Sequence, residues 1–167
     1  TGGVLALVSM PTYDPNLFVD GISTQDWRAL NESPDHPLLH RAIYSTYPPG
    51  STFKPFMALA GLETGKRTAR QAIHDVGYFN FGGHRFMDDK IGGHGMVDLH
   101  KSIVVSCNTY YYQLANELGI EGIASFMAPF GFGDRTGIDL PGEAIGVLPS
   151  PEWKRNRFRK PEQQRWY

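Results

Sequence analysis

Tyr47-Pro48-Pro49-Gly50-Ser51-Thr52-Phe53-Lys54-Pro55 is the stretch from which the rest of the chain is read. Its Pro-Pro-Gly run breaks the backbone. A serine follows at once, with a lysine three residues on. The apolar run Phe56, Met57, Ala58, Leu59, Ala60 and Leu62 then reads as a helix stopped by Gly65. Residues i and i+3 share a helix face, so this reading sets Ser51 Oγ beside the Lys54 ammonium at a helix N-terminus. Free backbone N–H groups and the helix dipole favour developing negative charge there. A serine next to an amine able to lose its proton is the layout of an activated nucleophile. The plainer reading makes Ser51 an N-cap and Lys54 a solvated first-turn residue. Pro55 removes an N–H near the start of the helix and points to a tight or distorted first turn.

A chain of 167 residues is long enough to bury a sizeable core. Its formal net charge of −1 suggests no polyanion partner, so nucleic acid is not expected. The single cysteine, Cys107, excludes an internal disulfide. No run approaches the ~20 apolar residues of a membrane span, and no signal peptide is visible. Thr1-Gly2-Gly3 runs straight into strand-like residues, and Arg165-Trp166-Tyr167 closes on aromatics. Both ends read as the interior of a longer protein.

Outward from the opening stretch, Val4 to Ser9 is a short apolar run readable as a buried strand, ended by Pro11 and Asp14-Pro15-Asn16. Residues 17–40 look irregular, with a helical turn over Asp26 to Leu30; Leu38 to Tyr44 leads towards Ser51. Thr52 to Thr64 is the first clear helix. Residues 66–96 are the least regular part, rich in Gly, His and Asp, and such a long connection is usually functional or mobile. Asp98 reads as a helix cap, with Leu99, Ile103 and Val104 at helical spacing behind it. A helix over Thr109 to Leu118 closes at Gly119, and another over Ile120 to Phe130 ends at Gly131. Residues 131–133 and 136–142 are loop signals. The basic segment Glu152 to Arg165 reads as a solvated helix face.

Ser106-Cys107-Asn108 lies at the junction of two of these helices. A hydroxyl and an amide in alternate positions can face one cleft, the first relaying a proton and the second holding a peptide group. Taken alone, the plainer reading is a turn in which Asn108 caps the next helix.

S-x-x-K followed by S-x-N is the motif order of the serine penicillin-recognising enzymes. The flanks sharpen the match. Gly2 to Ser9 with Pro11, Tyr13-Asp14-Pro15-Asn16, the Tyr47–Pro55 segment, Thr136-Gly137-Ile138-Asp139-Leu140-Pro141-Gly142-Glu143 and Trp153-Lys154 all carry it. Over its whole length the chain resembles the class B penicillin-binding proteins, nearest to the penicillin-binding protein 2 branch of Gram-negative rod-shaped bacteria. The resemblance implies an α+β fold: residues 1–167 as part of a transpeptidase domain, mostly its helical side plus an N-terminal strand, with later sheet strands missing. The family's third motif, Lys-Thr/Ser-Gly on a cleft-lining strand, does not occur here; Gly65-Lys66-Arg67-Thr68 does not supply it. The family places that motif beyond Tyr167, so this chain alone looks incomplete as a catalyst.

The implied activity is peptidoglycan D,D-transpeptidation in cell-wall elongation and rod shape, blocked by β-lactams. Ser51 is then the nucleophile, Lys54 its base, Ser106 a bridge from Lys54 to the leaving amine, and Asn108 a holder of the donor peptide. The implied partners are peptidoglycan pentapeptide stems, β-lactams and a membrane glycosyltransferase of the elongation machinery. The implied location is the periplasmic face of the inner membrane, through an N-terminal anchor outside this chain. Two rivals share the first motif: a β-lactamase or D,D-carboxypeptidase, and a non-catalytic β-lactam sensor or binding fragment. A β-lactamase would need a second base, and none is identifiable from the sequence.

Cys, His and carboxylate side chains are all zinc ligands, although scattered Asp and His in a polar loop are ordinarily just solvated. The resemblance aligns a structural zinc site on Asp75, Asp88, His94 and Cys107. It sets aside His74, His84 and Asp89. Without a metal, Cys107 reads as a small buried hydrophobe.

Overall fold

A computed structural model describes residues 2–165; Thr1, Trp166 and Tyr167 lie outside them, and so does the reading of the two chain ends that rests on these three. Seven α-helices and four short strands are present among the described residues: α1 (Thr24–Glu32), α2 (Arg41–Tyr44), α3 (Lys54–Glu63), β1 (Ile73–Asp75), β2 (Tyr78–Phe81), β3 (His84–Met87), β4 (Gly95–Val97), α4 (Leu99–Val104), α5 (Asn108–Met127), α6 (Pro151–Arg157) and α7 (Pro161–Gln164). The mixed α+β composition agrees with the expected class. None of the described helices is long and apolar enough to cross a membrane. The chain divides into two compact units, one running to Tyr47 together with Asp134–Gly146, the other comprising Pro48–Gly133 and the segment from Val147 onward.

In the first unit the expected strand over Val4 to Ser9 does not form. Leu5 is fully exposed and Val8 is 72% exposed. A strand needs a neighbour to take its backbone N–H and C=O groups, and no described strand pairs with this run. Only Ser9 is tied down: its Oγ donates to Leu39 O at 3.1 Å and accepts from Arg41 N at 2.9 Å. The helical turn expected at Asp26 is the full helix α1. Ser23 is its cap, accepting from Asp26 N at 3.0 Å. Ala144 N donates to Ile43 O at 2.8 Å, which folds the 136–142 loop back against α2.

The second unit is built on α3 packed against α5. Met57, Ala58, Ala60, Cys107, Tyr110, Tyr111, Leu114 and Met127 form its core with Val97 from β4. Gly61 lets the helices approach: a Cβ there would stand 3.1 Å from a Leu114 methyl. Arg67, buried beside this contact, pairs with Glu117 and lies over the Tyr110 ring. Gly119 sits inside α5 with φ 67° and ψ 164°, so the chain breaks there and resumes, as the sequence suggests. Gly131 then ends the following 3-10 turn in the left-handed conformation.

The 66–96 segment is not irregular. It folds into two antiparallel pairs, β1 with β4 and β2 with β3. Gly82 and Gly83 join β2 to β3 with positive φ at both positions, the requirement of a two-residue hairpin turn. Gly77 and Gly93 sit back to back where the pairs meet. A Cβ on Gly93 would fall 2.3 Å from Asp75 O. The α6 segment starts at Ser150, which caps Trp153 N at 3.0 Å, and most of its basic residues are exposed, matching the solvated-face reading.

Candidate active site and metal centre

Ser51 does not cap α3. It lies in a 3-10 turn, Gly50–Phe53, that runs directly into Lys54. Gly50 enters the turn at φ 57°, and Pro55 falls in the first helical turn, where its missing N–H costs nothing. The distorted first turn anticipated from Pro55 is this one.

Lys54 N donates to Ser51 O within the turn, but among the described residues their side chains share no direct hydrogen bond. Ser106 stands between them. Its Oγ is 2.8 Å from Ser51 Oγ and 2.9 Å from Lys54 Nζ. Lys54 Nζ also donates to Ser106 O and, at 2.6 Å, to Asn108 Oδ1. All three N–H bonds of the ammonium are thus directed. Ser106, predicted to bridge Lys54 to a leaving amine, here bridges Lys54 to Ser51. Asn108 is the first residue of α5, and Cys107 is the cap position, so the plainer reading of Asn108 as a cap does not hold.

Ser106 reaches this position by a strained backbone. Its φ is +53°, a region costly for any residue with a Cβ. The kink between α4 and α5 is held by Cys107 N donating to Ser102 O at 3.0 Å. Tyr111, one turn along α5 from Asn108, presents its ring to Lys54 Nζ at 5.7 Å from the centroid. Burial pulls the Lys54 ammonium below its ordinary pKa, while Asp88, Cys107 and Asp89 act weakly the other way. A hydroxyl joined through a second hydroxyl to a partly dehydrated amine can hand over a proton.

The four residues proposed as ligands converge. One ligand atom from each of Asp75, Asp88, His94 and Cys107 lies within 4.8 Å of the others. On β1, His74 is exposed and Asp75 buried, while His84 is exposed like every residue of β3. Asp89 is exposed as well. Asp75 Oδ1 accepts from Gly77 N at 2.7 Å and Oδ2 from His94 N at 2.8 Å, with His94 Nδ1 at 3.0 Å. Asp88 Oδ2 accepts from Thr109 N at 2.7 Å and Cys107 Sγ at 3.3 Å.

Burial would raise both carboxyl pKa values. For Asp75 the backbone N–H groups of Gly77 and His94 win; for Asp88 the donors from Asp89, Thr109 and Cys107 win; both end below the carboxylate range. Burial, with Asp88 adding to it, pushes the Cys107 thiol up to about 12. Among the described residues neither carboxylate has a Lys or Arg within ion-pair distance; only His94 approaches. Two buried carboxylates lacking a basic partner, beside an imidazole and a thiol, fit a divalent cation. The cluster can therefore hold a metal.

Sequence reasoning missed Tyr111, the Thr109 N–H and the Gly77–Gly93 contact. Tyr111 carried one signal: it lies at i+3 from Asn108 and so shares its helix face.

The family profile described as Penicillin binding protein transpeptidase domain matches residues 1–160. The chain is 51% identical over 156 residues to the Peptidoglycan D,D-transpeptidase MrdA of Acinetobacter baumannii, covering 92% of this chain and 23% of that protein. It superimposes on penicillin-binding protein 2 of Pseudomonas aeruginosa, solved in complex with WCK 5153, with a TM-score of 0.89 at 46% identity; the match covers 100% of this chain and 36% of that one. It also matches penicillin-binding protein 2 of Helicobacter pylori, solved in complex with MreC, with a TM-score of 0.85 at 38% identity, over 90% of this chain and 28% of that one. The chain spans about a quarter of the length of the curated relatives it matches.

Proposed function

The chain belongs to the penicillin-binding protein transpeptidase family, class B, closely related to penicillin-binding protein 2, and on that premise we propose that it carries the nucleophile side of a peptidoglycan D,D-transpeptidase. The observation that supports this reading most is the unbroken chain of hydrogen bonds Ser51–Ser106–Lys54.

Ser51 Oγ attacks the carbonyl carbon of the penultimate D-Ala. Its proton passes to Ser106 Oγ as the Ser106 proton passes to a neutral Lys54 Nζ. The Ser51 backbone N–H serves as one oxyanion donor. The tetrahedral intermediate collapses, and the departing D-Ala nitrogen takes a proton from Lys54 back through Ser106. An amine of a neighbouring stem then attacks the acyl-enzyme by the reverse route, forming the cross-link. Asn108 accepts from Lys54 through Oδ1, and its amide N–H is assigned to the donor peptide. A β-lactam acylates Ser51 as a substrate mimic that leaves slowly.

A β-lactamase needs a base to drive water onto the acyl-enzyme. The kinship with Peptidoglycan D,D-transpeptidases supports the transpeptidase over the β-lactamase or carboxypeptidase reading.

Asp75, Asp88, His94 and Cys107 would hold zinc, their S, N and O donors suiting it. Four protein ligands leave no position for a catalytic water, so its part is structural. Asp88 already joins the strands to the start of α5, next to Ser106 and Asn108. The reading extends to elongation partners, an MreC-like protein and a membrane glycosyltransferase among them, and to a periplasmic, inner-membrane setting; the relative solved with MreC supports the first of these.

The test is intact mass of the full-length protein before and after benzylpenicillin. A single adduct is expected, and none with Ser51→Ala. Labelling of Ser51→Ala at the wild-type level would remove Ser51 from the nucleophile's role.

A further inference from the structure

Lys54 has two walls. Asn108 forms one, through Oδ1. The other is the face of Tyr111, with Nζ 5.7 Å from the ring centroid, inside the range of a cation–π contact. Tyr111 is held on its far side. Its hydroxyl meets Ser102 Oγ at 3.0 Å; since Ser102 Oγ donates to Leu99 O at 2.7 Å, the tyrosine is the donor. Ser102 O in turn accepts from Cys107 N. The ring is thus fixed to the last turns of α4, the element that delivers Ser106. Burial raises the Tyr111 phenol pKa, which keeps it a neutral donor.

We infer that Tyr111 is the positioning residue of the base: its ring excludes water from Lys54 and its negative face stabilises the charge that grows on Nζ as Ser51 gives up its proton. This rests on Lys54 acting as that base. When Lys54 starts neutral, positive charge appears on it only in the transition state, so the ring acts on the barrier and not on the resting enzyme. The ionisable groups that act on Lys54 are Asp88 and Asp89, which follow β3, and Cys107 at the head of α5.

The experiment uses the full-length protein. Position 111 carries phenylalanine, then mono-, di- and trifluorophenylalanine, which drain the ring's negative face with little change in shape. The acylation rate constant with benzylpenicillin is measured on the alkaline plateau of the pH profile, where Lys54 starts neutral. Tyr111→Phe should stay within about threefold of wild type. The fluorinated series should then slow stepwise, by roughly threefold to tenfold at the third fluorine, with non-covalent binding of the penicillin unchanged. Tyr111→Leu should lose about tenfold. A flat fluorination series would overturn the inference, as would a loss that tracks only the fall in Tm. The underlying reading fails separately: if Lys54→Ala acylates at the wild-type rate, Lys54 is no base, whatever the fluorinated series does.

Discussion

Ser106 combines two costs at one residue. It holds a left-handed backbone and it carries the only hydroxyl hydrogen-bonded to both Ser51 and Lys54 among the described residues. Glycine would relieve the backbone by ~1 kcal/mol but would add unfolded-state entropy of similar size. Ser106→Gly should therefore leave stability within about 1 kcal/mol of wild type. Acylation should fall about 10²-fold, the low end for losing a proton-transfer group. Thermal melts and penicillin labelling of one preparation measure both; equal acylation with or without the hydroxyl would exclude the relay. Lys54 sets the pH dependence. Burial depresses its pKa, so the neutral form, which the reaction needs, prevails from a lower pH than for a free lysine. Acylation should rise with pH through that depressed value and then level off. A profile still climbing above pH 10.5 would mean that burial does not tune the base. The motif spacing gave the identity of both residues in advance. It named Ser106 as a bridge from Lys54 but could not place that hydroxyl between Lys54 and Ser51, because the order of contacts depends on the kink at Cys107, which no residue-type rule encodes.

At the scale of elements, the paired strands are what bring Asp75, Asp88 and His94 to Cys107. The β1–β4 and β2–β3 pairs close only because Gly77 and Gly93 meet without side chains. Gly93→Ala adds a φ penalty at +78° and a backbone clash. It should cost more than ~2 kcal/mol and lower zinc content measured by mass spectrometry. Normal zinc with an unchanged Tm would show that the pairs tolerate separation. On the proposed zinc site, Cys107 would make metal uptake pH-dependent. With its pKa pushed up to about 12 it is a thiol at neutral pH, and coordination requires the thiolate. Zinc affinity should rise up to about tenfold per pH unit near neutrality, with a proton released on binding. Calorimetry in buffers of different ionisation enthalpy would reveal it, and a pH-independent affinity would take Cys107 out of the ligand set. Helices were the legible part of the chain: Asp98, Gly119 and Gly131 marked real boundaries. The strands were not legible, because each spans three or four residues, too few for alternation to register. Gly82-Gly83 between Phe81 and His84 was the one sign of a hairpin. The Val4–Ser9 run shows the opposite error. Its composition is that of a strand, yet pairing is decided by a neighbour that local sequence cannot announce.

For the whole molecule, the proposed nucleophile, relay and base lie within a chain covering about a quarter of its relatives' length. Ser51 is exposed, and Val4, Leu5 and Val8 turn their side chains to solvent. The family's Lys-Thr/Ser-Gly strand, which contributes the second oxyanion donor, is not among these residues. Losing one such donor costs ~3–4 kcal/mol of transition-state stabilisation, or about 10²- to 10³-fold. A polypeptide limited to residues 1–167 should thus acylate with benzylpenicillin at least about 10²-fold more slowly than the full-length protein, even where the Ser51–Ser106–Lys54 chain is intact. Hydrogen exchange supplies the internal control. The α3–α5 core should protect its amides in both forms, because its contacts lie within one unit. The amides of residues 4–9 should exchange freely in the short form and be protected in the long one if, as the family resemblance implies, a later strand pairs with them. Equal acylation rates in the two forms would mean that the helical side suffices for attack on a β-lactam, and that the missing strand serves the peptide substrate alone.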